Sequence, residues 1–335
     1  MENTTKLTRT SMGFDLDVKK EKQKSRTKEI VTKSLTYAFL TLVGIFSFLP
    51  FYWMLMSSVK TENEYRYSVP TFFPTEKIQW KNYMVVINAH EGLFTTTLIN
   101  TIIVGLVSTI LGVVIVIISA YAFARLNFKG KELLFTLMLA TMMIPGELFT
   151  ITNYITIGPT GFFGKIFKGI YNTTGIYIGD SGLRNTYVVM ILPFLVSFYY
   201  IFLLRNAFKQ IPDSLYQAAK VDGCSDLGYL IKVMVPLTAP TLISITLLKF
   251  IGTWNSYIWP RLVNTNEKWQ LISNWVMKGF SDRDNILGYL NYTSQESLNT
   301  LKMAAACMVT LPLFVLFICF RKYIMTGVSK SGTKG

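Results

Sequence analysis

Six stretches of the chain carry at most one charged residue over about 18 residues or more, the length an α-helix needs to cross a bilayer. They run over Leu35–Val59, Leu98–Ala124, Leu133–Ile155, Thr186–Leu204, Leu237–Trp259 and Met303–Phe320. Polar segments separate them, and Pro50, Pro145, Pro193 and Pro312 interrupt several. Spanning helices tolerate proline where neighbours re-satisfy the freed carbonyls. The pattern predicts an all-α membrane protein with six transmembrane helices.

Composition supports this and charge orients it. Of the 335 residues 51% are hydrophobic and only 16% charged, against about 25% charged in soluble domains. With six spans both termini share a side with the 125–132 and 205–236 loops. Twenty of the 33 Lys and Arg and nine of the 19 Asp and Glu fall there, a net +11 against +3 on the other side. The positive-inside rule therefore predicts cytoplasmic termini. The basic segment "VKKEKQKSRTKE" (Val18–Glu29) then reads as a solvated tail near anionic lipid. It interleaves no aromatic platform, which argues against nucleic acid. The 34 residues before the first apolar run do not have the form of a cleavable signal peptide.

Catalytic and metal chemistry find little support. Cys224, Cys307 and Cys319 form no CxxC motif and no disulfide framework, so no metal site is predicted. His90 stands without an HExxH or GxSxG motif. "GPTGFFGKI" (Gly158–Ile166) has one residue too many between its glycines for a phosphate loop, and Ile where a magnesium-binding hydroxyl belongs. The chain is not expected to hydrolyse ATP.

One polar stretch falls between spans four and five, on the cytoplasmic side: "YQAAKVDGCSDLGYLIKVMVPLTAP" (Tyr216–Pro240). A short helix is expected to start near Pro212, with Asp213 or Ser214 as N-cap. Asp222-Gly223 is a stop signal, because glycine accepts the left-handed turn that ends a helix. Leu227–Val235 reads as a second amphipathic segment. Ala218 and Ala219 give the first helix a flat face suited to being gripped by another protein.

These residues resemble the EAA loop of ABC importer permeases, an E-A-A-x-x-D-G-A pattern with a proline thirteen residues after the glycine, here Gly223 and Pro236. Residues 36–335 are similar to the carbohydrate-uptake branch, the maltose-type permease subunit. Matching segments include "NTIIVGLVSTILGVVIVIISAYAFARLNFKGK" (Asn100–Lys131), "MMIPGEL" (Met142–Leu148), "GLRNTY" (Gly182–Tyr187), "FLLRNAFKQIPDSL" (Phe202–Leu215), "GTWNSYIWP" (Gly252–Pro260) and "AAACMVTLPLFVLF" (Ala304–Phe317). The resemblance implies a type I ABC importer permease fold, with a basic tail at 1–34, a first helix at 35–59, a permease core at 96–322 and a tail at 323–335. Within the core, the 212–236 loop would be the coupling helix, contacting the ATPase through Gln217, Ala218, Ala219, Asp222 and Gly223. Gln217 replaces the usual glutamate and Cys224 the usual alanine.

The implied assembly is an ATP-driven, binding-protein-dependent sugar importer in a bacterial inner membrane. This chain would form a heterodimer with a second homologous permease, above two ATP-binding subunits and beneath an extracytoplasmic solute-binding protein. It would bind no cofactor itself; ATP and Mg would sit on the partners. The alternative is a stand-alone secondary transporter or channel, which leaves the EAA-type loop unexplained. The identity of the sugar is not legible.

Three features leave alternatives open. Lys249 and Glu147 lie roughly 18 and 21 Å into their spans at 1.5 Å per residue, where charges pair or face a watery cavity. They form either an ion pair or separate cavity-lining groups. Trp254 and Asn255, in "WNSYIWP" (Trp254–Pro260), belong either to an interfacial aromatic belt or to an outer gate. The insert "FFGKIFKGIY" (Phe162–Tyr171) either lies flat at the outer interface or docks a binding protein.

Overall fold

The computed structural model describes residues 2–88, 92–158, 161–174, 183–279 and 298–329; His90 lies outside them. Among these residues the fold is helical, with no β-strand. The main elements are α1 (Glu2–Ser58), α2 (Leu93–Arg125), α3 (Lys131–Thr141), α4 (Gly146–Ile157), α5 (Phe162–Thr174), α6 (Tyr187–Ile191), α7 (Phe198–Lys209) and α8 (Asp213–Val221). They are followed by α9 (Asp226–Leu237, with a π-turn at Leu230–Met234), α10 (Ala239–Trp254) and α11 (Leu298–Ser329).

Among the described residues three helices are uninterrupted and apolar enough to cross a membrane, Thr27–Ser58 of α1, α2, and Asn299–Tyr323 of α11. Two bent pairs bring the number to five if each is one span: Tyr187–Phe194 with α7, bent by 48°, and α9 with α10, bent by 82°. The expected third span, 133–155, is divided into α3 and α4 across Met142–Pro145. Proline explains two of these interruptions. It cannot continue the hydrogen-bond ladder of the preceding turn, and both Pro145 and Pro193 stand at breaks, whereas Pro50 and Pro312 sit inside continuous helices. Span five ends at Trp254, not Trp259, because the chain turns at Asn255 and restarts as the short helix Ile258–Val263. From residue 2 the backbone of the basic segment is helical and continuous with the first apolar helix.

The hub of the fold is α2. Its buried positions, Thr97, Asn100, Thr101, Val104, Gly105, Ser108, Thr109, Gly112, Val116, Ala120 and Tyr121, recur every three or four residues and are mostly small. A stripe of small residues lets helix backbones approach closely, which is the chief source of packing energy where lipid removes the hydrophobic drive. The opposite face is apolar and exposed, with Ile99, Ile103, Leu106, Ile110 and Val114, as a lipid-facing surface must be. Along the stripe α2 packs against α7 and α10. One core cluster gathers Val116, Ala120, Ile201, Phe208, Tyr229, Met234 and Ile245, tying α9 to the bundle.

Polar side chains fasten the segment after α1. Asn299 N, Asn299 Nδ2 and Thr300 N donate to the Glu62 carboxylate at 3.1, 3.0 and 3.3 Å, so Glu62 accepts from two of the backbone N–H groups in the first turn of α11. Buried Glu64 accepts from Thr71 Oγ1 at 2.7 Å, Thr75 N at 2.8 Å and Glu76 N at 3.3 Å. Burial pushes its carboxyl upward, but these donors outweigh it and hold the group below the usual carboxylate value.

Candidate coupling surface and intramembrane cavity

The helix–turn–helix expected at 212–236 is formed by α8 and α9. The turn between them closes on Gly223, whose φ is +75°, the left-handed conformation that glycine adopts without steric cost. Gly223 N donates to Lys220 O at 3.0 Å and Cys224 N to Ala219 O at 2.8 Å, satisfying carbonyls at the end of α8. Ser225 caps α9, accepting from Gly228 N at 3.1 Å. The N-cap expected for α8 is absent. Pro212 occupies that position without a side-chain cap, and Asp213 accepts from Arg125 instead.

Gln217, Ala218, Asp222 and Gly223 are exposed, while Ala219 is half-buried against the core cluster that holds α9. The loop therefore presents four of its five expected contact residues outward and uses the fifth to seat itself. Exposed apolar side chains surround them: Leu215 at 42%, Val221 at 88%, Leu227 at 64% and Ile231 at 58%. Across the turn, Lys220 Nζ lies 2.8 Å from Asp226 Oδ1, and Tyr216 Oη donates to the same oxygen at 2.8 Å. The Lys220 hydrogen bond, then that of Tyr216, holds the Asp226 carboxyl below its usual range, and the same contact raises the Lys220 ammonium.

Two arginines that carried no signal in the sequence anchor this surface. Arg125, at the end of α2, donates to Ile211 O at 2.6 Å and Phe208 O at 3.3 Å, besides its pairing with Asp213. Arg205, buried on α7, donates from Nε to Phe123 O at 3.1 Å and from Nη2 to both Glu132 oxygens at 3.1 Å. Its guanidinium lies 3.7 Å from the Phe135 ring centroid. The arginine fork thus joins α2, α3 and α7 just ahead of α8. A basic residue ending an apolar span reads as a topology signal, which hides this second role.

The other candidate residues lie deeper. Lys249, only 7% exposed on α10, donates from Nζ to Phe194 O at 2.7 Å. That carbonyl lies at the break before α7, where helix-terminal carbonyls lack an intrahelical donor. The Glu147 side chain, offered as an ion-pair partner of Lys249 or as a separate cavity-lining group, lies outside the described residues. Lys249 lines a cavity of about 350 Å³, together with Ser108, Ser197, Tyr200, Thr253 and Trp259 among others.

Trp254 is neither an interfacial ring nor part of this cavity. It is 3% exposed, packs with Ile272, Trp275, Leu301 and Ala304, and donates from Nε1 to Val309 O at 3.3 Å. Asn255 is exposed at the end of α10. The tryptophan of this motif that borders the cavity is Trp259, held by its Nε1 donating to Val189 O at 2.9 Å. In the 162–171 insert, Phe163 of α5 packs against the cluster of Ile157, Leu183 and Trp259, while Phe162 is exposed.

Residues 112–330, which contain α8, α9, α10 and the cavity lysine, match the family described as binding-protein-dependent transport system inner membrane component. The chain belongs to this family. As a binding-protein-dependent permease it is a non-catalytic, multi-pass membrane subunit, and ATP hydrolysis in such systems is the work of separate subunits. Among curated relatives, the arabinooligosaccharides transport system permease AraQ of Halalkalibacterium halodurans is 26% identical over 318 residues, covering 93% of this chain and all of that protein. The trehalose/maltose transport system permease MalG of Thermococcus litoralis is 27% identical over 314 residues, covering 92% and 99%. A crystal structure of a bacterial ABC transporter that imports alginate superposes with a TM-score of 0.68 at 21% identity, covering 88% of this permease and 96% of that chain. The permease fold is shared.

Proposed function

We propose that this permease is one half of the translocation path of an ATP-driven sugar importer, with six spans and both termini in the cytoplasm. A second, homologous permease completes the path, and two ATP-binding subunits dock beneath α8 and α9. A solute-binding protein delivers the sugar from outside a bacterial inner membrane. The observation that carries this reading is the α8–Gly223–α9 unit, an exposed helical face at 82° to α10 at its α9 limb, tied to the end of α2 by Arg125, while Arg205 locks α7, which leads into it, to α2 and α3. A rigid unit held this way passes a push on its exposed face to the bundle, instead of absorbing it. The sugar assignment is supported by the relatives' substrates, arabinooligosaccharides and trehalose or maltose. No cofactor is assigned to this chain; ATP and Mg belong to the partner subunits.

Reconstitution into proteoliposomes tests the reading. Uptake of a labelled sugar should require the second permease, the ATP-binding subunits and the binding protein together. Uptake by this chain alone, driven by an ion gradient or by diffusion, would make it a stand-alone transporter and end the proposal.

A further inference from the structure

Lys249 has features that a lysine serving the fold alone would not need. Gly112 on α2 is hollowed out for it: a Cβ there would lie 2.1 Å from Lys249 Cε and 2.7 Å from Nζ, so any other residue would displace the side chain. The ammonium has three donors, and among the described residues its one hydrogen-bond partner is the Phe194 carbonyl. Among the described residues, none that lines the cavity is acidic. The rest of the polar lining is neutral, with hydroxyls from Ser108, Ser197, Tyr200, Thr253 and Ser256, and Trp259 offers an aromatic face. A cation at this depth is expensive without an opposite charge, and the described residues of this cavity wall supply hydroxyls and an aromatic ring, the usual surroundings of a sugar, and no anion.

We propose that the missing charge arrives with the substrate: the cavity selects sugars bearing an anionic group, a carboxylate or a phosphate, which Lys249 binds beside the Phe194 carbonyl. This rests on the sugar-importer reading and narrows it. Charge-assisted hydrogen bonds are shorter and about twice as strong as neutral ones, so Lys249 favours an anionic sugar over its neutral counterpart of the same size. The hydroxyls and Trp259 would hold the ring in either case.

The test is calorimetric titration of the complete permease–ATPase assembly in nanodiscs, without binding protein. Four probes are compared: digalacturonate against neutral galactobiose, and galactose 6-phosphate against galactose. At least one anionic probe should bind about tenfold more tightly than its neutral partner. Which pair shows the preference tells carboxylate from phosphate. Lys249→Gln, which keeps a donor without the charge, and Lys249→Met should both erase the preference while leaving neutral-sugar binding in place. Equal binding of anionic and neutral probes by the unaltered assembly overturns the proposal, whether or not the variants fold. So does a preference that survives in Lys249→Gln. ATP-driven uptake of neutral sugars without any anion preference would refute this inference alone. Failure of the complete assembly to import any sugar would refute the reading beneath it.

Discussion

Replacing Gly223 tests whether the shape of the α8–α9 turn, and not merely its presence, transmits force. The residue sits at φ +75°, and a Cβ built there meets no heavy atom within 4 Å. Any cost of substitution is therefore conformational, with no steric clash added. An L-residue held in the left-handed region costs about 1–2 kcal/mol, which lowers the population of the native turn roughly 5- to 30-fold. Gly223→Val lies at or beyond the upper end, since a β-branched residue is a genuine outlier at positive φ. Gly223→Asn lies near zero, because asparagine enters this region readily. The expected order of sugar-stimulated ATPase activity and uptake in proteoliposomes is Gly, then Asn, Ala and Val, with membrane levels unchanged because the core below the loop is untouched. Full uptake with Gly223→Val would show that the turn conformation does not matter. An asparagine variant as poor as the valine one would show that backbone geometry is not the cause.

Arg205→Lys keeps the charge but cannot reproduce a fork that reaches Phe123 O and both Glu132 oxygens. With Glu132 largely in solvent, the ion pair itself counts for little, and the lost hydrogen bonds set a destabilisation of about 1–3 kcal/mol, read as a lowered melting temperature of the purified assembly; an unchanged melting temperature refutes the anchor. Trp254→Ala empties a buried site and should cost about 3–5 kcal/mol, lowering the amount of folded protein in the membrane, whereas Asn255→Ala should leave it unchanged. Equal expression of the two would contradict the packing described here. Glu64, with its carboxyl held below the usual 4.5, stabilises the loop after α1 above that pH, and the contribution disappears as pH falls through the lower folded value. The protection factors of the Thr75 and Glu76 amides, corrected for the intrinsic pH dependence of exchange, should therefore fall in acid in the native permease, and Glu64→Gln should show lower protection than native at pH 7 with little further acid dependence; identical protection profiles would remove Glu64 from that role.

The sequence by itself determined what depends on solvent and on local backbone chemistry. Long apolar runs mark where apolar helices form, because a bilayer leaves the backbone no partner but its own helix, but not where those helices break, as the divided 133–155 run shows. Asp222-Gly223 announces the turn because glycine's freedom at positive φ is a property of the residue and needs no neighbour. Tertiary structure alone decided which partners the buried polar groups take. Lys249 was legible as a costly charge, but its seat against the Phe194 carbonyl exists only because the chain breaks after Pro193 and Gly112 on another helix makes room. Trp254 and Trp259 look alike in "WNSYIWP"; the turn at Asn255 sends one into the contact with α11 and the other to the cavity. Arg125 and Arg205 read as charges at the ends of spans, and the backbone carbonyls they close on, those of Ile211 and Phe123, lie more than eighty residues away. Hydropathy records how a side chain partitions between water and lipid. The partner that completes its hydrogen bonds is fixed only when distant helices pack.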